Sequence, residues 1–258
     1  MSVIIAVSNQ KGGVGKTTTS VNLSSAIAAT GKKTLLVDLD PQGNATSGMG
    51  INKKQVRQGT YEVLCGNVSA EEAITRACVK NMDMLPTGMD LAGAEVELLS
   101  RSKREYVLKN ALEPIRDNYS FIIIDCPPSL TVLTLNALTA ADKVLVPIQC
   151  EFYALEGLGQ LLNTVKLVKQ HLNSALEIDG VVCTMFDGRT NLSAQVVDEV
   201  KKYFNDKVYR TAIPRNIRLA EAPSFGLPID VFDPSCPGSD AYRRLAQEVI
   251  NRNAQFDR

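Results

Sequence analysis

The chain has 258 residues, with 28 lysines and arginines balanced by 28 aspartates and glutamates, and a single histidine. A formal charge of zero provides no bulk attraction for nucleic acid, so any such affinity requires a local basic patch. One histidine, His171, argues against a Ser-His-Asp triad or a histidine-rich zinc site. Six scattered cysteines, no signal peptide and no apolar run of about 18 residues predict a cytoplasmic protein without a membrane span.

The first predicted element is a β-branched, apolar run at residues 2–8, which predicts a buried strand. Residues 8–19 then read Ser-Asn-Gln-Lys-Gly-Gly-Val-Gly-Lys-Thr-Thr-Thr, and apolar residues follow at helical spacing as far as Thr30. Strand, glycine-rich loop and helix occur in the order that directs a helix N-terminus at a phosphate group. The segment is therefore predicted to be a nucleotide-binding P-loop.

This loop differs from the usual G-x-x-x-x-G-K-[ST] pattern, because Gln10 replaces the first glycine and a second lysine, Lys11, stands five residues before Lys16. Lys16 is predicted to reach the β- and γ-phosphates, and Thr17 to bind Mg²⁺. Since Lys16 already serves the nucleotide of its own loop, we predict that Lys11 points outward, toward phosphates held by a second copy of the chain. The alternative interpretation of Lys11 is a solvated surface lysine.

Strands and helices are predicted to alternate along the rest of the chain. Further apolar, strand-like runs occur at 34–37, 82–85, 121–124, 144–147 and 181–185, and helical spacing occurs at about 17–30, 103–117, 130–140, 154–172, 192–204 and 239–252. This alternation predicts an α/β fold, a single P-loop NTPase domain over residues 1–258 with a mostly parallel twisted sheet flanked by helices on both faces. Polar residues 43–66 are expected to form a mobile excursion.

Acidic residues end two of the predicted strands. Asp38 and Asp40 end the second strand, and Pro41 and Gly43 enforce a turn that places Asp40 to orient water for attack on a γ-phosphate. A turn-forming aspartate is the alternative for Asp40, while Asp38 is predicted to be structural or to lie behind the metal ligands. Asp125 ends the run at 121–124, and we predict that it holds Mg²⁺ directly or through water.

The segments Lys-Gly-Gly-Val-Gly-Lys-Thr, Asp-Leu-Asp-Pro-Gln-Gly-Asn and Ile-Ile-Asp-Cys-Pro-Pro together resemble the ParA/MinD family of deviant-Walker P-loop ATPases. The resemblance spans nearly the whole chain, and residues 151–157, 187–191 and 213–226 are similar to the chromosomal ParA proteins of the Soj type. It implies a homodimer that forms around two ATP molecules with Mg²⁺ and binds double-stranded DNA non-specifically. It also implies ATP hydrolysis that is weak alone and stimulated by a ParB/Spo0J-type partner, on a nucleoid-associated protein.

Roles for individual residues follow from the same resemblance. Lys11 crosses the dimer interface, Lys16 contacts the nucleotide of its own subunit, and Asp40 is the hydrolytic carboxylate. Pro214 and Asn216 match a loop that lies against adenine, where a proline ring packs on the base and an amide meets its polar edge; a simple strand-ending turn is the alternative. The predicted nucleotide-binding residues are Lys11, Gly12, Gly13, Val14, Gly15, Lys16, Thr17, Thr18, Pro214 and Asn216.

Arg189 and Arg218 are the DNA-binding arginines that the resemblance implies. Both occur in polar, loop-like segments, where a guanidinium group can reach phosphate oxygens. Without the resemblance, each has the alternative interpretation of a solvated surface arginine.

Two other functions remain open. A MinD-like ATPase that cycles on a membrane needs a terminal amphipathic helix with a basic polar face. The C-terminal stretch instead mixes both charge signs, and its one modest apolar stripe, Leu245, Val249 and Ile250, is predicted to pack onto the domain, so no membrane partner is expected. A nitrogenase-type or cluster-assembly protein needs paired cysteines, whereas the cysteines here occur singly; Cys126, predicted to be a buried packing residue, and Cys150 leave that alternative open.

Overall fold

A computed structural model describes residues 2–151 and 158–254, which form seven β-strands and twelve α-helices. The strands are β1 (Val3–Val7), β2 (Thr34–Asp38), β3 (Thr75–Arg76), β4 (Met82–Leu85), β5 (Phe121–Asp125), β6 (Lys143–Gln149) and β7 (Glu177–Thr184). The helices are α1 (Lys16–Ala29), α2 (Asn44–Gly48), α3 (Thr60–Cys65), α4 (Ala70–Ala73), α5 (Leu91–Leu99), α6 (Val107–Leu112), α7 (Val132–Ala140), α8 (Leu158–His171), α9 (Asn191–Phe204), α10 (Ile217–Glu221), α11 (Ile229–Phe232) and α12 (Pro237–Asn253).

The seven strands form one sheet in the order β3-β4-β2-β5-β1-β6-β7. Neighbouring strands are parallel, except that β3 runs antiparallel to β4. Successive side chains of a strand face opposite sides of the sheet, so in β1 Ile4 and Ala6 join one core and Ile5 and Val7 join the other. All strands except the short edge strand β3 are largely buried on both faces, which is why they are mostly apolar. The predicted fold class is confirmed.

Helices cover both faces of the sheet. Helices α3 to α9 contribute to one core, whereas α1, α2 and α10 to α12 contribute to the other. In α12, Leu245 and Val249 are fully buried and Ile250 packs against the same core, so the predicted packing of the C-terminal helix is confirmed. Residues 255–258 lie outside the described residues. Within the part of the chain that is described, no helix is long and apolar enough to cross a membrane.

Two of the predicted segments differ from the structure. Residues 43–66 are not a separate excursion: they form α2, the 3₁₀ helix Lys53–Gln55 and α3, and Val63 and Leu64 of α3 are buried in the core. Residues 103–117 do not form one helix, because Pro114 disfavours its continuation and α6 gives way to the 3₁₀ helix Glu113–Asn118. The predicted start of a helix at 154–157 falls outside the described residues.

The parallel strands bring their carboxyl ends to one edge of the sheet. In the register, Asp125 of β5 is paired with Val7 of β1 on one side and with Asp38 of β2 on the other, and Gln149 of β6 is paired with Thr184 of β7. The P-loop and both predicted acidic strand ends therefore meet at this edge, the place where open α/β sheets bind ligands.

Candidate functional site

The P-loop connects β1 to α1 in a conformation that depends on glycine. Gly13 and Gly15 have φ angles of 75° and 85°, in the left-handed region that glycine tolerates best. No side chain of the described residues caps the N-terminus of α1, and a Cβ on Gly12 or Gly13 would have nothing within 4 Å. The backbone N–H groups of Gly12 and Gly13, which make no hydrogen bond within the described residues, are therefore available to bind an anion.

Lys16, the first residue of α1, is buried above this loop and only 7% exposed. Its Nζ donates a hydrogen bond to the carbonyl oxygen of Lys11 at 3.1 Å. Burial lowers the pKa of Lys16, and the nearby carboxylates of Asp125 and Asp40 partly offset that effect. The ammonium group is thus held between the acidic strand ends and the phosphate-binding loop.

Lys11 has a fixed backbone and an unpartnered side chain. Its N–H donates to Oδ1 of Asn9 at 3.1 Å, and Asn9 in turn donates to the carbonyl oxygen of Pro147 in β6 at 2.7 Å. Within residues 2–151 and 158–254, the half-buried Lys11 side chain makes no hydrogen bond or ion pair. The loop therefore leaves this second ammonium available, as the outward-pointing role requires, and that role stays a prediction.

Asp38 and Asp125 are fully buried on neighbouring strands. Asp38 accepts hydrogen bonds from the N–H and the hydroxyl of Thr46, at 2.8 and 2.7 Å, and from the N–H of Asp40 at 3.2 Å. Both of its oxygens are occupied by protein donors, which supports the structural role predicted for it. Burial raises the pKa of Asp38 to about 6.

Asp125 differs from Asp38 because one of its oxygens is unsatisfied. Oδ1 accepts a hydrogen bond from Ser20 at 2.8 Å, whereas Oδ2 is buried with no hydrogen-bond partner among the described residues. Burial and the charge of Asp38 raise the pKa of Asp125 to about 8, and the hydroxyl of Thr17 lies close enough to favour the ionised form. A buried, unpartnered carboxylate oxygen beside a hydroxyl fits Mg²⁺, which prefers oxygen ligands.

Asp40 is buried at the start of a tight turn. Its Oδ1 accepts from the N–H of Gln42 at 2.9 Å, and its carbonyl oxygen accepts from the N–H of Gly43 at 2.8 Å. Asp40 is therefore a turn-forming aspartate, as the alternative interpretation predicted, but only one of its carboxylate oxygens takes part in the turn. The other oxygen has no hydrogen bond within the described residues and is available for the predicted orientation of water.

A cavity of about 340 Å³ opens beside the P-loop. Its lining consists of Gly15, Thr18, Thr184, Met185, Ile213, Pro214, Arg215, Asn216, Ile217, Leu219, Ala220 and Tyr242. The predicted adenine loop and the P-loop thus share one cavity, whose mostly apolar wall suits a heterocyclic base. Oδ1 of Asn216 caps α10 by accepting from the N–H of Arg218 at 2.8 Å, which leaves the amide NH₂ for the edge of a base.

Thr184 and Met185 belong to this wall but were not found from the sequence. The hydroxyl of Thr184 donates to the carbonyl oxygen of Val14 at 2.8 Å and so supports the P-loop. Met185 has a φ of 52°, which is uncommon for a residue with a side chain, and the chain turns there toward Phe186, which pairs with Pro214. A left-handed methionine carries no sequence signal, so only the structure could identify it.

The two predicted DNA-binding arginines are both paired with carboxylates. Arg189, whose side chain is 88% exposed, donates to both oxygens of Asp187 at 2.9 and 2.7 Å. These hydrogen bonds lower the pKa of Asp187 to about 2. Arg218 pairs with Asp233 at 2.8 Å and with Glu221 at 2.7 Å. Neither arginine is simply solvated, and binding to phosphate requires each to exchange partners.

The cysteines do not form a metal-cluster site in the described residues. All six are free, and only Cys78 is exposed. Cys126 is fully buried, which confirms its predicted packing role, and Cys150 is buried as well. The described part of the chain contains no group of three or more His, Cys, Asp or Glu residues able to hold a metal ion. A cluster bridged between two subunits needs surface cysteines, and Cys126 and Cys150 do not supply them.

Known proteins are similar to this chain in sequence and in fold. The model of a family described as an AAA domain matches residues 2–178. The sporulation initiation inhibitor protein Soj of Bacillus subtilis is 59% identical over 96% of this chain and 98% of the relative. The chromosome-partitioning ATPase Soj of Treponema pallidum is 50% identical over 96% of each chain.

A solved structure adds the nucleotide to this comparison. Cobyrinic acid a,c-diamide synthase from Mycobacterium smegmatis, with bound ATP analog and magnesium, superposes with a TM-score of 0.87 at 40% identity. The match covers 100% of this chain and 98% of that one. ATP and Mg²⁺ agree with the phosphate loop, the free oxygen of Asp125 and the apolar cavity found here.

Proposed function

The chain belongs to the ParA/MinD family of P-loop ATPases, and from that premise we propose that it is a partitioning protein whose ATP-bound form is a DNA-binding dimer. It hydrolyses ATP to ADP and phosphate with Mg²⁺ as cofactor. We further propose that residues 1–258 act as one ATPase domain, and that a ParB-type partner stimulates hydrolysis. The ATP-bound dimer is proposed to lie on the nucleoid.

The observation that carries the proposal is the unpartnered ammonium of Lys11 in a loop that already contains Lys16. Both ends of the Lys11 backbone are fixed, at Asn9 and at Lys16, so the side chain starts from a defined position. Because Lys16 occupies the lysine position of its own P-loop, a second copy of the chain offers Lys11 the phosphates that would use its charge.

The proposed hydrolysis assigns one task to each group of this site. Backbone N–H groups of the loop and Lys16 hold the phosphates, and the free oxygen of Asp40 orients the attacking water. Thr17 and Asp125 would hold Mg²⁺, which when bound neutralises charge on the β- and γ-phosphate oxygens. Side chains around the cavity at Pro214 hold the base and thereby fix the nucleotide along its length.

Lys11→Ala should leave ATP affinity within about threefold of wild type and weaken ATP-dependent dimerisation by about a hundredfold or more. Two such lysines, one per subunit, would each lose a charge-assisted contact of about 1.5–3 kcal/mol. Light scattering with and without ATP measures the dimer, and Lys54→Ala, at an exposed lysine, is the matched control. A Lys11→Ala protein that dimerises like wild type would restore the interpretation of a surface lysine.

Arg189→Ala and Arg218→Ala should each weaken DNA binding while ATP binding and dimerisation stay intact. A dimer that places four arginines on phosphates should show a slope of log K against log salt of roughly −3.6, at about 0.9 per contact. Each variant loses two contacts per dimer, so its slope should fall to roughly −1.8. Fluorescence anisotropy over a salt series measures the slope, and Arg104→Ala, an arginine paired with Glu105, is the control. If both variants showed the same salt slope as wild type, Arg189 and Arg218 would not be residues that contact DNA.

The competing function, a MinD-like ATPase that cycles on a membrane, can be tested with the wild-type protein. The apolar face of α12 is used for packing within the domain, which argues against its insertion into lipid. ATP-dependent co-sedimentation with DNA supports the proposed function, whereas ATP-dependent co-sedimentation with anionic liposomes in its place would favour the MinD-like alternative.

A further inference from the structure

Lys53 contacts the turn that carries Asp40, although it lies in a separate 3₁₀ helix, Lys53–Gln55. Its Nζ donates a hydrogen bond to the carbonyl oxygen of Gln42 at 2.6 Å. We propose that Lys53 is a positioning residue for ATP hydrolysis, which holds the turn at Asp40 in the geometry that orients water. The inference rests on the hydrolytic role proposed above for Asp40.

The peptide group at Gln42 is held from both of its sides. Its N–H donates to Oδ1 of Asp40 at 2.9 Å, and its carbonyl oxygen accepts from Lys53. The first contact is internal to the turn and fixes the carboxylate of Asp40 relative to the local backbone. The second contact comes from eleven residues further along the chain and fixes that backbone relative to the rest of the domain.

A second observation, independent of this hydrogen bond, places the aliphatic part of Lys53 against the same turn. Gly43 has a φ of 59°, and a Cβ built on it would clash with Cδ of Lys53 and lie 3.0 Å from Cγ2 of Thr87. Lys53 therefore passes directly over the Cα of Gly43. The backbone conformation favours glycine here, and the absence of a side chain leaves room for the lysine.

Lys53 is itself anchored, which lets it act as a support. Asn52 caps the 3₁₀ helix by accepting from the N–H of Lys54 at 3.1 Å. The helix also rests on the loop after β4, because a Cβ on Gly88 would lie 3.4 Å from the carbonyl oxygen of Val56 and 3.9 Å from that of Lys53. The lysine thus links the turn to a packed part of the domain.

The partner of this ammonium group is a backbone carbonyl, not the Asp40 carboxylate, so its effect on hydrolysis is geometric. Loss of the contact should allow the Asp40 turn to move while the phosphate loop and the base cavity stay in place. Since displacement by about 1 Å can reduce a rate by up to a hundredfold, the expected effect falls on kcat and leaves the KM for ATP unchanged.

The test compares three variants in single-turnover ATP hydrolysis. Lys53→Met keeps most of the aliphatic stem and removes the donor, and we expect hydrolysis about tenfold slower than wild type with unchanged ATP affinity and unchanged ATP-dependent dimerisation. Lys53→Arg keeps a donor and should restore most of the rate. Lys54→Met removes a neighbouring exposed lysine and should behave like wild type.

Gly43→Ala disturbs the same turn in a second way, because alanine is strained at a φ of 59° and its methyl group would meet the side chain of Lys53. Combined with Lys53→Met, it should slow hydrolysis by less than the product of the two separate effects.

Hydrolysis at the wild-type rate by Lys53→Met, alongside an inactive Asp40→Ala, would overturn the positioning role of Lys53 and leave the role of Asp40 standing. Equal losses of ATP affinity and rate in Lys53→Met would also overturn it. An active Asp40→Ala would instead refute the proposed hydrolytic turn itself.

Discussion

Lys16→Ala should weaken ATP binding by at least about a hundredfold, because it removes two charge-assisted contacts to phosphate oxygens, each worth about 1.5–3 kcal/mol. Under the proposed function, ATP-dependent dimerisation and DNA binding should disappear with it. Titration with a fluorescent ATP analogue measures the affinity, and light scattering measures the dimer.

The same substitution should leave the nucleotide-free protein folded. Burial lowers the pKa of Lys16, because desolvation opposes its charge more than the carboxylates of Asp125 and Asp40 favour it, so removing the ammonium group also removes that desolvation penalty. Thermal unfolding without nucleotide checks this expectation. A Lys16→Ala protein that still dimerises with ATP and binds DNA would show that the P-loop does not control assembly.

Asp40→Ala should reduce ATP turnover by at least about a hundredfold, the usual lower range for losing a group that directs proton transfer or water. ATP binding and dimerisation should persist, since Lys16 and the loop N–H groups remain. The expected product is a dimer trapped on DNA in the presence of ATP. Phosphate release measures turnover, and co-sedimentation with DNA measures the trapped state.

Asp40→Asn separates chemistry from turn formation. An asparagine oxygen can still accept from the N–H of Gln42, so the turn should form as it does with aspartate. Turnover should nevertheless stay as low as in Asp40→Ala, because the charge of the second oxygen is gone. Recovery of wild-type turnover in Asp40→Asn would assign Asp40 a purely structural role.

Much of the sheet was predictable, because its parallel strands are buried on both faces and therefore stand out as short apolar runs. β5 illustrates this: the run at 121–124 predicted a strand that the structure extends by one residue, to Asp125. β3 was not predicted, because this edge strand has only two residues, Thr75 and Arg76, and both are exposed. α5 escaped as well, although Leu91, Ala94 and Leu98 are buried on one face, because nine residues containing a glycine give a weak helical signal.

The chemistry of the site was predictable where it depends on local sequence. Glycines, lysines and a strand-ending acid identify the P-loop and Asp125 without any tertiary information. Contacts between distant segments were not predictable: Lys53 above Gly43, Thr184 beneath the P-loop and Asp233 beside Arg218 depend on how loops return to the carboxyl edge of the sheet. The predicted motif at 151–157 lies largely in residues 152–157, outside the described residues.

Asp187 pairs with Arg189, and Asp233 and Glu221 pair with Arg218, so under the proposed function these carboxylates would compete with DNA phosphates for the two arginines. Under the proposed function, each arginine exchanges its carboxylate partners for phosphate when it binds DNA. A single subunit therefore gains little binding free energy from these contacts. A dimer would add the small contributions of four arginines, so its affinity for DNA would depend steeply on dimerisation. On the same proposal, the internal carboxylates would recapture the arginines when the subunits separate, and the protein would leave DNA without any competing anion from solution.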